Sequence, residues 1–130
     1  MVVVRPLATL ADDEDLGRYL GSGALLSNYA ADISVKPDGL FFSDDTLGSG
    51  RLQLVEGKDG GYDELQGAPD MILEVVSESS QEKDTVKLKT AYWEAGIPEY
   101  WLVDAREEPV NFDIFRRGTR GYRASRKPDG

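Results

Sequence analysis

The stretch that decides the fold is PDMILEVVS, residues 69–77. Its centre is almost continuously apolar, as is typical of a strand covered on both faces of a sheet. One charged side chain, that of Glu74, interrupts this apolar run. Because burying an unpaired carboxylate is costly, Glu74 needs either a cationic side chain from the covering helix or a bound metal ion. Both interpretations are open from this stretch alone.

The residues that follow predict a βαβ unit. A helix is expected over residues 81–95, capped by Ser79 or Ser80 and stopped by Gly96 and Pro98. One side of this helix is an apolar stripe at i, i+3, i+4 and i+7, formed by Leu88, Ala91, Tyr92 and Ala95. Residues 99–104, EYWLVD, then form a second buried strand, and such a unit is normally right-handed with parallel strands.

The chain before and after this unit predicts further strands and short connections. Strands are expected over residues 24–28, 33–42, 51–55 and 110–115, and Pro37 marks an edge, a bulge or a break. Acidic residues early in 11–20 favour a short helix there. Residues 43–50 and 56–67 are interpreted as loops. The predicted fold class is therefore α/β, with a mixed β-sheet flanked by helices in one domain over residues 1–130.

Two further acids could join Glu74. If the strand that follows Pro37 pairs beside residues 69–77, Asp38 would come to about 5 Å from Glu74 across the ladder. The competing interpretation is that Asp38 belongs to a turn, since Pro-Asp-Gly is a strong turn signal. Asp70 shares a face with Glu74 but lies about 13 Å along the strand, too far to hold the same ion without a bulge.

Lysines on the helix after the strand could complete a catalytic site. Lys83 and Lys87 are four residues apart and share one side of that helix. A lysine beside an attacked phosphate would stabilise the charge that grows there. The ordinary alternative is that both are solvated surface residues.

The composition narrows the chemistry. The chain has no cysteine and no histidine, which excludes disulfides, thiolate sites, Ser-His-Asp triads and the commonest zinc ligands. Oxygen ligands remain, and they favour Mg²⁺ or Mn²⁺. No stretch of about 18 apolar residues predicts a membrane span. The N-terminal residues lack a signal-peptide core, so a cytoplasmic protein is expected.

The net charge of −9 conceals an uneven distribution. Residues 116–130 contain one acid, Asp129, and six basic residues, Arg116, Arg117, Arg120, Arg123, Arg126 and Lys127. A basic end on an acidic body could bind phosphate, although a solvated surface strand is the plainer interpretation.

Three motifs, taken in order, resemble one family. They are the Pro-Asp of VKPDG at residues 35–39, PDMILEVVS at 69–77, and AGIPEYWLVD at 95–104. In this order they resemble the bacterial Uma-type family of restriction endonucleases, within the PD-(D/E)XK nuclease superfamily. The resemblance covers about residues 30–115, and family members usually have more sequence before the first strand.

The resemblance implies a restriction-endonuclease-like core, a divalent metal and cleavage of DNA. Asp38 and Asp70 match the family's acids, and Glu74 matches the acid of its Glu-X-Lys element. Val76 occupies the lysine position of that element and Leu88 the usual helical alternative, so Lys83 or Lys87 would supply the lysine. The resemblance also implies that two copies could pair to cut both strands.

These observations lead to one main hypothesis and two alternatives. The main hypothesis is a magnesium-dependent DNA endonuclease in which Asp38, Asp70 and Glu74 are metal ligands and Lys83 or Lys87 approaches the scissile phosphate. The first alternative is a catalytically inactive nuclease-fold domain that serves nucleic-acid binding or regulation. The second is an interaction domain whose acidic surface binds a basic partner.

Overall fold

The computed structural model describes residues 17–57, 62–78, 84–106 and 108–125. Most of the helix predicted over residues 11–20 lies outside these ranges, and its last four residues form a strand instead. The described residues form two β-sheets, where one was predicted. Within the described ranges, no helix has both the length and the apolar character needed to cross a lipid bilayer.

The larger sheet has six strands in the order β1-β4-β7-β8-β9-β10. The strand predicted to decide the fold, β7, lies inside it, antiparallel to β4 and parallel to β8. The predicted parallel βαβ unit is therefore present, and the sheet is mixed. Its strands are β1 (Gly17–Leu20), β4 (Gly39–Ser43), β7 (Met71–Val76), β8 (Glu99–Asp104), β9 (Asn111–Arg117) and β10 (Tyr122–Ala124).

The smaller sheet has four strands in the order β3-β2-β6-β5. They are β2 (Leu25–Asn28), β3 (Ile33–Val35), β5 (Leu52–Glu56) and β6 (Tyr62–Gly67). Strand β6 falls within residues 56–67, which were predicted as a loop. The loop prediction was wrong for this part, because several glycines flank the short strand and are typical of loops. Leu65 of this strand is buried.

Pro37 separates two strands that belong to different sheets. The predicted strand over residues 33–42 is broken there, so that β3 joins the smaller sheet and β4 the larger one. A proline cannot donate a ladder hydrogen bond, and the side chain of Pro37 is fully buried at the crossing. Asp38 therefore lies directly before a strand of the larger sheet.

Two helices connect the described strands. Helix α1 (Asp44–Ser49) replaces the loop predicted over residues 43–50, because the Ser43 side chain caps it by accepting a hydrogen bond from the Thr46 N–H. Helix α2 (Thr85–Glu94) begins later than predicted, since its N-cap is Asp84 rather than Ser79 or Ser80. Asp84 is exposed and accepts from the Lys87 N–H at 3.0 Å.

The larger of the two hydrophobic clusters among the described residues is the main core, which lies between the two sheets and α2. The predicted stripe of α2 faces it: Tyr92 is fully buried, Ala95 is nearly so, and Leu88 packs at its margin. Asn28 of the smaller sheet joins two parts of this core, donating from Nδ2 to the backbone oxygens of Gly67 at 3.0 Å and Ala95 at 3.2 Å. The shared core places α2 directly over the face of β7 that carries Glu74.

Candidate functional site

The structure brings Asp38 and Glu74 together. Strands β4 and β7 pair with Gly39 opposite Leu73 and Leu40 opposite Ile72, so Asp38, the residue directly before this pairing, lies at its Glu74 end. Asp38 Oδ2 accepts a hydrogen bond from the Val75 N–H at 2.6 Å. The carboxylate of Asp38 is thus held against the backbone immediately beside Glu74. Asp38 itself lies in a bend directly before β4, so its position agrees with the turn interpretation as well.

Glu74 is buried, with 2% of its surface exposed. The hydroxyl of Tyr92 donates to Glu74 Oε2 at 2.6 Å. Burial raises the pKa of Tyr92 first, and the charge and hydrogen bond of Glu74 raise it further, so this hydroxyl stays protonated. Tyr92 supplies a neutral donor that orients one carboxylate oxygen of Glu74.

A second buried tyrosine lies in the same region. The ring of Tyr100 meets that of Tyr92 edge-on, with 5.4 Å between centroids, and Tyr100 is fully buried. Burial raises the pKa of Tyr100, and the charge of Glu74 adds to this effect. Within the described residues the Tyr100 hydroxyl has no hydrogen-bond partner. Glu74 therefore lies in an aromatic environment of low polarity, where electrostatic interactions are stronger than in water.

The opposite face of the sheet restricts the residue after Asp38. A Cβ atom on Gly39 would lie 1.7 Å from the hydroxyl oxygen of Tyr19, so a larger residue does not fit beneath that ring. Burial raises the pKa of Tyr19, and the charge of Asp38 contributes to the same shift. Gly39 is thus required by close packing in a strand rather than by a turn.

Asp70, the third predicted acid, is held away from this pair. Its carboxylate accepts from the Ser43 N–H at 2.6 Å and from the Thr46 hydroxyl at 2.8 Å. It also forms an ion pair with Arg51 at 2.7 Å. These contacts tie the start of β7 to α1 and β5. The structure thus separates Asp70 from Glu74, as the spacing of four strand residues requires.

The two predicted lysines differ in what the structure describes. Lys83 lies outside the described residues. Lys87 is in the first turn of α2 with an exposed side chain. Lys89, two residues further along α2, lies with Nζ 4.0 Å from the centre of the Phe115 ring. A catalytic role for Lys83 or Lys87 stays a prediction.

Asp104, the last residue of β8, stabilises the loop that follows this strand. It accepts from the Arg106 N–H at 3.1 Å and pairs with the Arg106 guanidinium at 2.7 Å. Hydrogen bonds from the Arg106 side chain and backbone, in that order, lower the pKa of Asp104 to about 2.

The donor set suits a hard cation. Mg²⁺ is commonly bound by one or two carboxylates and completes its shell with water and substrate phosphate. Asp38 and Glu74 are two such carboxylates on adjacent strands. Within residues 17–57, 62–78, 84–106 and 108–125, no group of three potential metal-binding side chains occurs. The two acids fit a cation of this kind, and Asp70 would not share it.

Sequence reasoning did not identify Tyr92 as a site residue. Its place in the apolar stripe of α2 was interpreted as core packing, which is correct for the ring. The hydroxyl was the missed signal, because a buried tyrosine usually finds a polar partner and a buried carboxylate needs a donor.

Comparisons with known proteins agree with this architecture. A family model described as "Uma2: Putative restriction endonuclease" matches residues 3–129. No curated protein matches the sequence. A crystal structure of "a putative nuclease belonging to DUF820" from Anabaena variabilis has a similar fold, with a TM-score of 0.68 at 19% identity. The alignment covers 98% of this chain and 65% of that structure's chain, so this chain spans less than two thirds of its length.

Proposed function

This chain belongs to the Uma2 family, and on that premise we propose that it is a metal-dependent nuclease that hydrolyses phosphodiester bonds in DNA. The observation that carries the proposal is the juxtaposition of Asp38 and the buried Glu74 across the β4–β7 ladder. Two carboxylates placed in this way are ligands of the kind that bind a divalent cation such as Mg²⁺.

We propose that Asp38 and Glu74 hold Mg²⁺ or Mn²⁺ through their carboxylate oxygens. Such a cation, when bound, lowers the pKa of a coordinated water and offsets negative charge on an attacked phosphate. Tyr92 orients Glu74 through its hydroxyl, and the Val75 N–H fixes Asp38. Both carboxylates are therefore prepared before a ligand arrives.

Two other predicted residues take supporting parts in this proposal. Asp70 positions the start of β7 through Arg51 and Thr46 instead of holding the cation. Either Lys83 or Lys87 approaches the scissile phosphate, where an ammonium group stabilises the developing charge. Lys87 projects from the first turn of α2, the helix that also supplies Tyr92.

The test is nicking of supercoiled plasmid DNA by the purified chain, with Mg²⁺ or Mn²⁺ and with a chelator. We expect metal-dependent nicking that Glu74→Gln abolishes. Glu94→Gln is the matched control, because it makes the same chemical change at an exposed position of α2. Nicking by Glu74→Gln at the rate of the unaltered chain would contradict the assignment, since it would point to another site or to a contaminant.

An inactive nuclease-fold domain that binds nucleic acid is the second candidate. It is favoured by Leu88, which packs at the margin of the core in the helical position where the family commonly has its lysine. Titration with Mn²⁺ separates the two candidates. Binding that depends on Glu74 supports the nuclease, whereas DNA binding without any cation binding supports the inactive domain. A cytoplasmic location and pairing of two copies stay predictions.

A further inference from the structure

Positive charge is concentrated at one edge of the larger sheet. Residues 116–125 contain four arginines and no acid, although the chain as a whole has a net charge of −9. The ion pairs within the described residues use Arg51 and Arg106, and none of the four arginines at this edge forms one there. They are Arg116, Arg117, Arg120 and Arg123. Such a local excess of like charge attracts anions.

Part of this charge lines a half-open cleft between α2 and the β9–β10 hairpin. The cleft has a volume of about 310 Å³, and we call it the hairpin cleft. Residues three and four apart on α2 share one side, and that side faces the hairpin. The cleft residues used below are Lys89, Thr90 and Trp93 from α2, with Arg120 and Tyr122 from the hairpin.

Specific contacts hold the hairpin and α2 together. The Trp93 indole N–H donates to the Gly118 oxygen at 2.8 Å, and Arg117 Nε donates to the Trp93 oxygen at 2.8 Å. The Arg117 guanidinium also lies 4.5 Å from the Trp93 ring centre. These contacts fix the hairpin against α2, so the walls of the cleft are in place before an anion binds.

The position of the hairpin cleft relates it to the proposed nuclease site. Tyr122 and Glu74 lie on the face of the sheet that α2 covers, since Tyr122 packs on Tyr100 in the same core. Strand β10 is three strands away from β7, or about 15 Å at ordinary strand spacing. This is less than half of the roughly 34 Å in one turn of duplex DNA. One duplex can therefore reach both places.

We propose that the hairpin cleft binds the phosphate backbone of the DNA duplex whose scissile phosphate lies at Asp38 and Glu74. The inference rests on the proposed function and adds the surface that holds the substrate. Lys89 and Arg120 supply charge, and the Thr90 hydroxyl supplies a donor, which are the groups that contact phosphates without reading sequence. Binding is therefore expected to be independent of sequence and strongly dependent on salt.

The experiment measures binding of a fluorescein-labelled 20-base-pair duplex to the whole chain by anisotropy, in a chelator so that no cleavage occurs. We expect Arg120→Glu to weaken binding about tenfold. The slope of the logarithm of affinity against the logarithm of salt concentration should also fall by about one, which corresponds to the loss of one phosphate contact. Lys89→Gln, which keeps the aliphatic stem near Phe115, should weaken it less. The matched control is Arg18→Glu, an identical charge reversal at an exposed position of β1, the opposite edge of the sheet.

The outcomes separate this inference from the proposed function. Weaker binding by Arg120→Glu with normal binding by Arg18→Glu supports the hairpin cleft, even if the chain does not nick DNA. Equal losses in the two variants would overturn it, because a general effect of net charge would then explain the result. If the chain nicks DNA in a metal-dependent way and Arg120→Glu binds the duplex normally, the role of the hairpin cleft is overturned. The proposed nuclease function is then not affected. Binding to vesicles of anionic lipid but not to the duplex would also overturn it.

Discussion

The two ends of β7 present the same chemical group in opposite surroundings. At its start, Asp70 is partly exposed and is held by a guanidinium, a hydroxyl and a backbone N–H. Near its other end, Glu74 is buried, receives a neutral hydroxyl from Tyr92 and faces Asp38. Both acids match positions of one family motif. The difference teaches that motif membership does not assign a role, because the neighbouring elements decide whether a carboxylate supports the fold or can hold a cation.

The largest expected effect concerns which end of β7 binds the cation. We expect Glu74→Gln and Asp38→Asn to lower Mn²⁺ affinity about 100-fold or more, since each removes one of two carboxylate ligands. Asp70→Asn should leave this affinity unchanged. Isothermal titration with Mn²⁺ measures all three variants. An equal loss of Mn²⁺ affinity in Asp70→Asn would contradict this expectation and would mean that Asp70 is also a metal ligand.

Stability should show the opposite pattern. Asp70→Ala removes the partner of Arg51 and the acceptor for Thr46, so the free energy of unfolding should fall by about 2 kcal/mol, allowing for its partial exposure. Glu74→Gln keeps an acceptor for Tyr92 and removes a buried charge, so its unfolding free energy should be unchanged or higher. Urea unfolding, followed by circular dichroism, measures the unfolding free energy of both variants. A large loss of stability in Glu74→Gln alone would indicate a purely structural role.

A smaller effect is expected at Tyr92, which acts through Glu74. Tyr92→Phe keeps the buried ring and removes the donor at 2.6 Å, so Mn²⁺ affinity should fall about tenfold, as is usual for a residue that orients a ligand. Tyr122→Phe is the control, because its hydroxyl donates to the Ile97 oxygen instead. If both variants lose only stability and keep Mn²⁺ affinity, Tyr92 does not position Glu74.

The smallest effect on stability is expected for Asp104, a third carboxylate that can be compared with Asp70 and Glu74. Its pairing with Arg106 depresses its pKa to about 2, so the pair stabilises the folded chain above the ordinary pKa of 3.8 and loses this effect as the pH falls through about 2. In Arg106→Ala, NMR titration should find the pKa of Asp104 raised towards 3.8. The midpoint of urea unfolding at pH 7 should not change measurably, because exposed pairs contribute little.

The parts of the fold that follow local patterns could be predicted from sequence. Strand β7 has a continuous apolar run, α2 has a stripe at helical spacing, and together with β8 they form the expected parallel unit. The juxtaposition of Asp38 and Glu74 could be stated only as a condition. It depends on the register in which β4 pairs with β7. Packing between residues that are distant in sequence fixes this register in the folded core.

The parts that were missed depend on partners distant in sequence. Residues 43–50 contain Ser-Asp-Asp, an N-cap followed by acids in the first turn, but a six-residue helix has too few apolar positions to show a period. Without α1, the contacts of Asp70 with Ser43 and Thr46 could not be foreseen. The crossing at Pro37 was recognised as a break, yet nothing local indicates that the two halves enter different sheets.

Gly39 in β4 packs against the side chain of Tyr19 in the neighbouring β1, diagonally across the pairing of Tyr19 with Phe41. Any side chain at position 39 must displace the phenol at position 19. These two positions are therefore expected to change together in a library, with larger residues at 39 favoured beside a smaller one at 19. Asp38 shares this constraint, since the glycine that follows it can be enlarged only if the Tyr19 side chain moves or is made smaller.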